Sequence, residues 1–179
     1  MHLAKLLNAN LLAVEKQGRH KYYRLASDEV ATAMEAIANL IPKEKTRQVV
    51  DDKDDHALKY CRTCYDHLAG KVAVTVVDAM VKQKLILKEN QAFALSRKGE
   101  QFFTKLKVDL KKLEALRRPM LRPCLDWTER RHHLAGSLGA EFLKLILSAD
   151  WIRRVKNSRA VVITAKGQKE FYEMLRVEV

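Results

Sequence analysis

The chain nearly repeats itself over its last two thirds. His67-Leu68-Ala69-Gly70 recurs as His133-Leu134-Ala135-Gly136, and Leu95-Ser96-Arg97-Lys98-Gly99 before Phe103 recurs as Ile163-Thr164-Ala165-Lys166-Gly167 before Phe171. The two offsets, 66 and 68 residues, agree closely. A period this long marks a duplicated small unit and not a solenoid. Each copy must therefore build the same elements. The apolar spacing predicts a long helix over about 57–83 in the first copy and about 127–149 in the second. A hairpin follows each: Leu85-Ile86-Leu87 with Ala92 to Leu95, and Trp151-Ile152 with Ala160 to Ile163. Ser96 and Thr164 are N-caps for a final helix in each copy. Glycine in mid-helix is unfavourable by roughly 1 kcal/mol against Ala. Ala69, Gly70, Ala73 and Ala135, Gly136, Gly139, Ala140 are thus expected to form two smooth patches where the long helices cross. Trp127 and Trp151 are expected in the core.

Charge is the next constraint. The 179 residues hold 34 Lys+Arg and 22 Asp+Glu, a net +12. Such a surplus favours polyanionic partners, nucleic acid first. Eight of those twelve charges follow residue 100. The apolar run Val72 to Val81 is broken by Thr75 and Asp78, so no transmembrane helix is expected. The first residues lack a signal-peptide pattern. Three cysteines then fit reduced thiols in a cytoplasm better than a disulfide scaffold. No phosphate-cradling Gly loop, Gly-x-Ser-x-Gly or His-Glu-x-x-His occurs, so the chain reads as a non-enzyme.

The first forty residues have their own pattern. Leu3, Leu6 and Leu7 recur at helical spacing up to about Asn8. Leu11, Leu12 and Val14, a turn at Gln17-Gly18, and His20 to Leu25 then form a hairpin pattern. Lys16, Arg19, Lys21 and Arg24 surround its tip within a stretch that holds no acid. Ser27 is an N-cap, with Asp28 and Glu29 suited to the helix dipole. Val30, Met34, Ile37 and Ile41 follow as one apolar stripe, and Pro42 ends it. Helix, hairpin and helix in this order are the back half of a winged helix.

His2-Leu3-x-x-Leu6, Ala9-x-Leu11-Leu12 and Gly18-Arg19-x-x-x-Tyr23-x-Leu25 resemble the ArsR family of bacterial transcriptional regulators. Arg62 to Gly70 and Cys124 to Arg131 resemble a subset of that family with an extended C-terminal region. The resemblance implies a dimeric DNA-binding regulator. His2 and Lys5 would contact DNA from the recognition helix, and Gly18, Arg19, His20, Lys21 and Arg24 from the wing. The stripe of Val30, Met34, Ile37 and Ile41 would bury in the dimer. A family member carries roughly fifty residues and three helices ahead of this point. The chain as given is therefore expected to bind DNA weakly and with little sequence preference. Homodimerisation and a DNA partner are expected, with no membrane and an unspecified effector.

The organisation expected is mainly α with small β-hairpins: a partial winged helix over 1–41, a linker over 42–55, and a duplicated helix–hairpin–helix domain over 56–179, divided into 56–118 and 119–179.

Cys61-x-x-Cys64 and His67, set on a helix, would share one face. Cys124 stands ahead of His133 much as Cys64 stands ahead of His67. Two thiolates with a third thiolate or an imidazole suit zinc or another soft metal. The competing readings are cysteines packed as small apolar side chains, a Cys61–Cys64 redox pair, and histidines hydrogen-bonded inside the helix crossing. Asp66, Asp126 and Glu129 are expected to pair with Arg62, Arg130 and Arg131.

Overall fold

The computed structural model describes residues 2–18, 20–38, 40, 53–89 and 92–179. Arg19, Ile41 and most of the expected linker lie outside the described residues. The chain divides into two units, Met1–Arg47 and Gln48–Val179.

The first unit holds α1 (His2–Asn8), β1 (Leu12–Gln17), β2 (His20–Leu25) and α2 (Asp28–Ala38). The hairpin is antiparallel, with Leu12 opposite Leu25, Val14 opposite Tyr23 and Lys16 opposite Lys21. Side chains alternate across a strand, so these three pairs lie on one face that runs from an apolar base to a cationic tip. Gly18 turns the chain at φ +60. Ser27 starts α2, its hydroxyl oxygen accepting the Val30 N–H at 3.3 Å.

The second unit holds α3 (Lys53–Tyr60), β3 (Arg62–Cys64), β4 (His67–Ala69), α4 (Lys71–Lys82), β5 (Ile86–Glu89), β6 (Ala92–Leu95), α5 (Arg97–Lys105) and α6 (Leu110–Glu114). It continues with β7 (Arg122–Leu125), β8 (His132–Ala135), α7 (Gly136–Ser148), β9 (Ile152–Arg154), β10 (Val161–Ile163) and α8 (Ala165–Leu175). Hairpin, helix, hairpin, helix thus occurs twice, and each hairpin is antiparallel. Ser96 and Thr164 cap α5 and α8 by accepting the N–H of Gly99 at 3.0 Å and of Gly167 at 2.9 Å.

The two long helices expected over 57–83 and 127–149 are not formed. A short hairpin interrupts each, so that the end of α3 and α4 are helical in the first range and α7 in the second. Tyr65 takes a left-handed conformation at φ +53 and turns β3 into β4. Gly70 and Gly136, at φ +88 and +86, then redirect each second strand into a helix. The glycines therefore stand at helix starts and not in a helix crossing. The close approaches are helix to strand: α4 packs on β8 and α7 on β4.

Packing joins the halves of this unit. Phe103 of α5 meets Phe142 of α7 edge to face at 6.2 Å, within a core that includes Met80, Leu85, Leu138 and Ile146. Trp151 is buried against Phe171 at 5.4 Å. Trp127 is not core: it is 41% exposed, and the Arg62 guanidinium lies 4.8 Å from its ring. β3 is also tied to the run before β10, since Thr63 N–H donates to Arg159 O at 2.8 Å and Val161 N–H to Cys61 O at 3.0 Å.

Candidate functional site

The β1–β2 hairpin presents exposed Lys16, Gly18, Lys21 and Arg24, with Tyr22 and Tyr23 also exposed. His2 and Lys5 are exposed on α1. His20 pairs through its backbone with Gln17. On α2, Val30 is half-buried, while Met34 and Ile37 are 48% and 58% exposed.

In the second unit, four side chains converge. One sulfur each from Cys64 and Cys124, and one nitrogen each from His67 and His133, lie within 4.8 Å of one another. Strand register explains this. Cys64 is directly opposite His67 in one hairpin, and Cys124 directly opposite His133 in the other. Each hairpin so presents one thiol and one imidazole side by side. His67 Nε2 faces His133 Nε2 at 3.1 Å. Three of the four residues are buried, and Cys64 is half-buried.

Cys61 is not part of the cluster. On an extended chain, residues three apart point to opposite faces, so Cys61 enters the core while Cys64 turns toward the histidines. Burial pushes the Cys61 thiol up to about 12. No disulfide joins any two of the three cysteines in this structure. The histidines stand on strands and not at a helix crossing.

Around the cluster sit two carboxylates. His67 Nδ1 is 3.2 Å from Asp66 Oδ1, and the Arg118 guanidinium donates to Asp66 Oδ2 at 2.6 Å. Burial alone would raise the Asp66 carboxyl, but its bonds to His67 and Arg118 prevail and hold it at about 2. His133 Nδ1 is 3.2 Å from Asp126 Oδ2, an ion-pair distance without the alignment of a hydrogen bond. Asp126 is fully buried and heavily used. Its Oδ2 accepts from Arg62 at 2.9 Å and from the Gly70 N–H at 2.7 Å. Its Oδ1 accepts from the Thr128 N–H, the Thr128 hydroxyl and the Glu129 N–H. Burial opposes ionisation here too, yet His133, Thr128 and Arg62 keep this carboxyl well below its usual range. The Cys124 thiol lowers Cys64 most, burial opposes it, and His133 and His67 add to the lowering, so the Cys64 thiol sits well below its usual range.

Of the expected ion pairs, Arg62–Asp126 forms, whereas Asp66 takes Arg118 and Arg131 takes Asp78. The carboxylates beside the imidazoles have a sequence signal of their own. Arg62-Thr63-Cys64-Tyr65-Asp66 recurs as Arg122-Pro123-Cys124-Leu125-Asp126, ahead of the repeated His-Leu-Ala-Gly.

One curated relative matches nearly the whole chain. The chain is 41% identical over 178 residues to YdfF of Bacillus subtilis (strain 168), described as an uncharacterized HTH-type transcriptional regulator. The match covers 99% of this chain and 79% of the relative. The chain belongs to the HTH-type transcriptional regulators. No family model and no solved structure matches it. As a member of that group the chain is a regulator and not an enzyme. Among the described residues, no helix of the regulator is long and apolar enough to cross a membrane.

Proposed function

We propose that this regulator is of the ArsR type: a cytoplasmic homodimer that holds DNA with α1 as the end of a recognition helix and β1–β2 as the wing of a winged helix. In this reading the second unit is a duplicated winged-helix-like pair that serves effector sensing or dimerisation. The observation that carries the DNA reading is the hairpin tip. Lys16 and Lys21 are cross-strand partners on one face. Like charges directly opposite each other are destabilising, and a phosphate backbone between them removes that penalty. Tyr23 lies on that same face, while Tyr22 and Arg24 are exposed on the opposite face of the hairpin.

The test is binding of duplex DNA across a salt series. Each lysine that contacts phosphate adds about one to the slope of log affinity against log salt. Lys16→Gln with Lys21→Gln should therefore weaken binding and lower that slope by about 2. An unchanged slope would overturn the assignment of the wing.

The dimer reading rests on Met34 and Ile37, two large apolar side chains exposed on one amphipathic helix. Ile37→Glu places a charge in that face and should convert a dimer to a monomer in sedimentation, because burying an unpaired charge is prohibitive. A dimer that survives at the same concentration would place the interface elsewhere.

A further inference from the structure

We propose that Cys64, His67, Cys124 and His133 bind one zinc ion, which staples the two halves of the second unit together. The proposal does not depend on the DNA reading. It starts from the two imidazoles. Each has its Nδ1 3.2 Å from a carboxylate oxygen, Asp66 for His67 and Asp126 for His133. A carboxylate beside Nδ1 favours the proton there. With the proton on both Nδ1 atoms, the two Nε2 atoms, 3.1 Å apart, turn their lone pairs to one point. A cation there, a proton or a metal ion, bridges the two rings. The two sulfurs on the same spot make the preferred cation a soft metal rather than a proton.

The dimensions fit. Zinc bonds of roughly 2.05 Å to nitrogen and 2.3 Å to sulfur set tetrahedral donors about 3.3–3.8 Å apart. The four donors lie within 4.8 Å of one another, with the closest nitrogens at 3.1 Å. Charge also balances. Two thiolates neutralise a divalent ion, while each outer carboxylate already has its own cation, Arg118 for Asp66 and Arg62 for Asp126. Such Asp–His–metal arrangements orient the ring and raise its basicity.

Four protein ligands leave no open position, which is the pattern of a structural site and not a catalytic one. The ligands come in pairs from hairpins β3–β4 and β7–β8. One ion thus ties together segments that no disulfide joins.

The full chain, purified without added metal, should carry about one zinc per chain by elemental analysis. After chelation and reconstitution with cobalt(II), it should show the visible d–d bands and thiolate charge-transfer bands of a tetrahedral site. Cys64→Ser and Cys124→Ser should each reduce bound zinc to less than about a tenth of an equivalent. Cys61→Ala, three residues from a ligand but outside the cluster, should keep the full equivalent. The wild-type readings need no variant to fold. Absence of zinc in the purified chain together with no tetrahedral cobalt spectrum would overturn the proposal. So would full zinc content in both serine variants. None of these readouts involves DNA, so failure here and failure of the wing assignment are separate results.

Discussion

Asp126→Ala should destabilise the second unit by about 3–5 kcal/mol, the range for removing one partner of a buried ion pair. The carboxylate and the Arg62 side chain are both essentially inaccessible to water. Without Asp126, the Arg62 guanidinium keeps only Leu58 O at 3.0 Å and the Thr128 hydroxyl at 3.4 Å. The face of Trp127 offers it a further cation–π contact. Those groups do not neutralise its charge. The N–H groups of Gly70, Thr128 and Glu129 also lose their acceptor, and each buried donor left unpaired is unfavourable by about 1–3 kcal/mol. Urea denaturation measures the loss. Adding Arg62→Met to Asp126→Ala should recover part of it, because the stranded charge goes with the arginine. An Asp126→Ala variant within about 1 kcal/mol of wild type would show that Arg62 and the N–H groups find other partners.

Asp126 also explains why the site was only half legible in the sequence. Hairpins around Gly18, over 85–95 and over 151–163 announced themselves through turn residues between apolar runs. The caps at Ser27, Ser96 and Thr164 were equally readable, since a hydroxyl ahead of a helix has one strong use. The hairpins β3–β4 and β7–β8 were not. Their strands are as short as those of β5–β6 and β9–β10, but no Asn, Ser or Gly turn separates them, and they sit between helical sequences that extend a 3.6-residue pattern across them. Cys61, Cys64 and His67 are spaced by three, which matches one face of a helix. In the extended chain the same spacing separates Cys61 from the others. The cysteines and histidines that converge were visible as residue types. The sequence marks the carboxylates only as salt-bridge partners, because their geometry depends on a six-residue turn, 126–131, present in the second hairpin and replaced by two residues in the first.

The repeated tetrapeptide marked the right place for a different physical reason, and that reason makes Gly136 the second sensitive position. Gly136→Ala should destabilise by about 3–6 kcal/mol, summing backbone strain at positive φ with two lost hydrogen bonds. Its φ of +86 is one that L side chains rarely adopt. A Cβ there would stand 2.6 Å from Met120 O and 2.7 Å from Pro119 O. These two carbonyls accept the N–H groups of Leu138 and Ser137, at 2.9 and 3.1 Å, and so satisfy the first donors of α7. The methyl group cannot be relieved by moving a flexible side chain. It must push away the backbone that caps the helix. Gly70 is placed alike, with Lys59 O at 2.8 Å and Tyr60 O at 2.9 Å from the same added atom. Gly18 separates strain from clash, since its φ is +60 but nothing lies within 4 Å of an added Cβ. Gly18→Asn should therefore be mild, within about 1 kcal/mol, because Asn tolerates the left-handed region. Thermal melting of the three variants decides the matter. Gly136→Ala and Gly70→Ala should lose most of the cooperative transition of the second unit while Gly18→Asn keeps it. A Gly136→Ala protein that melts like wild type would mean that 119–120 can retreat without releasing α7.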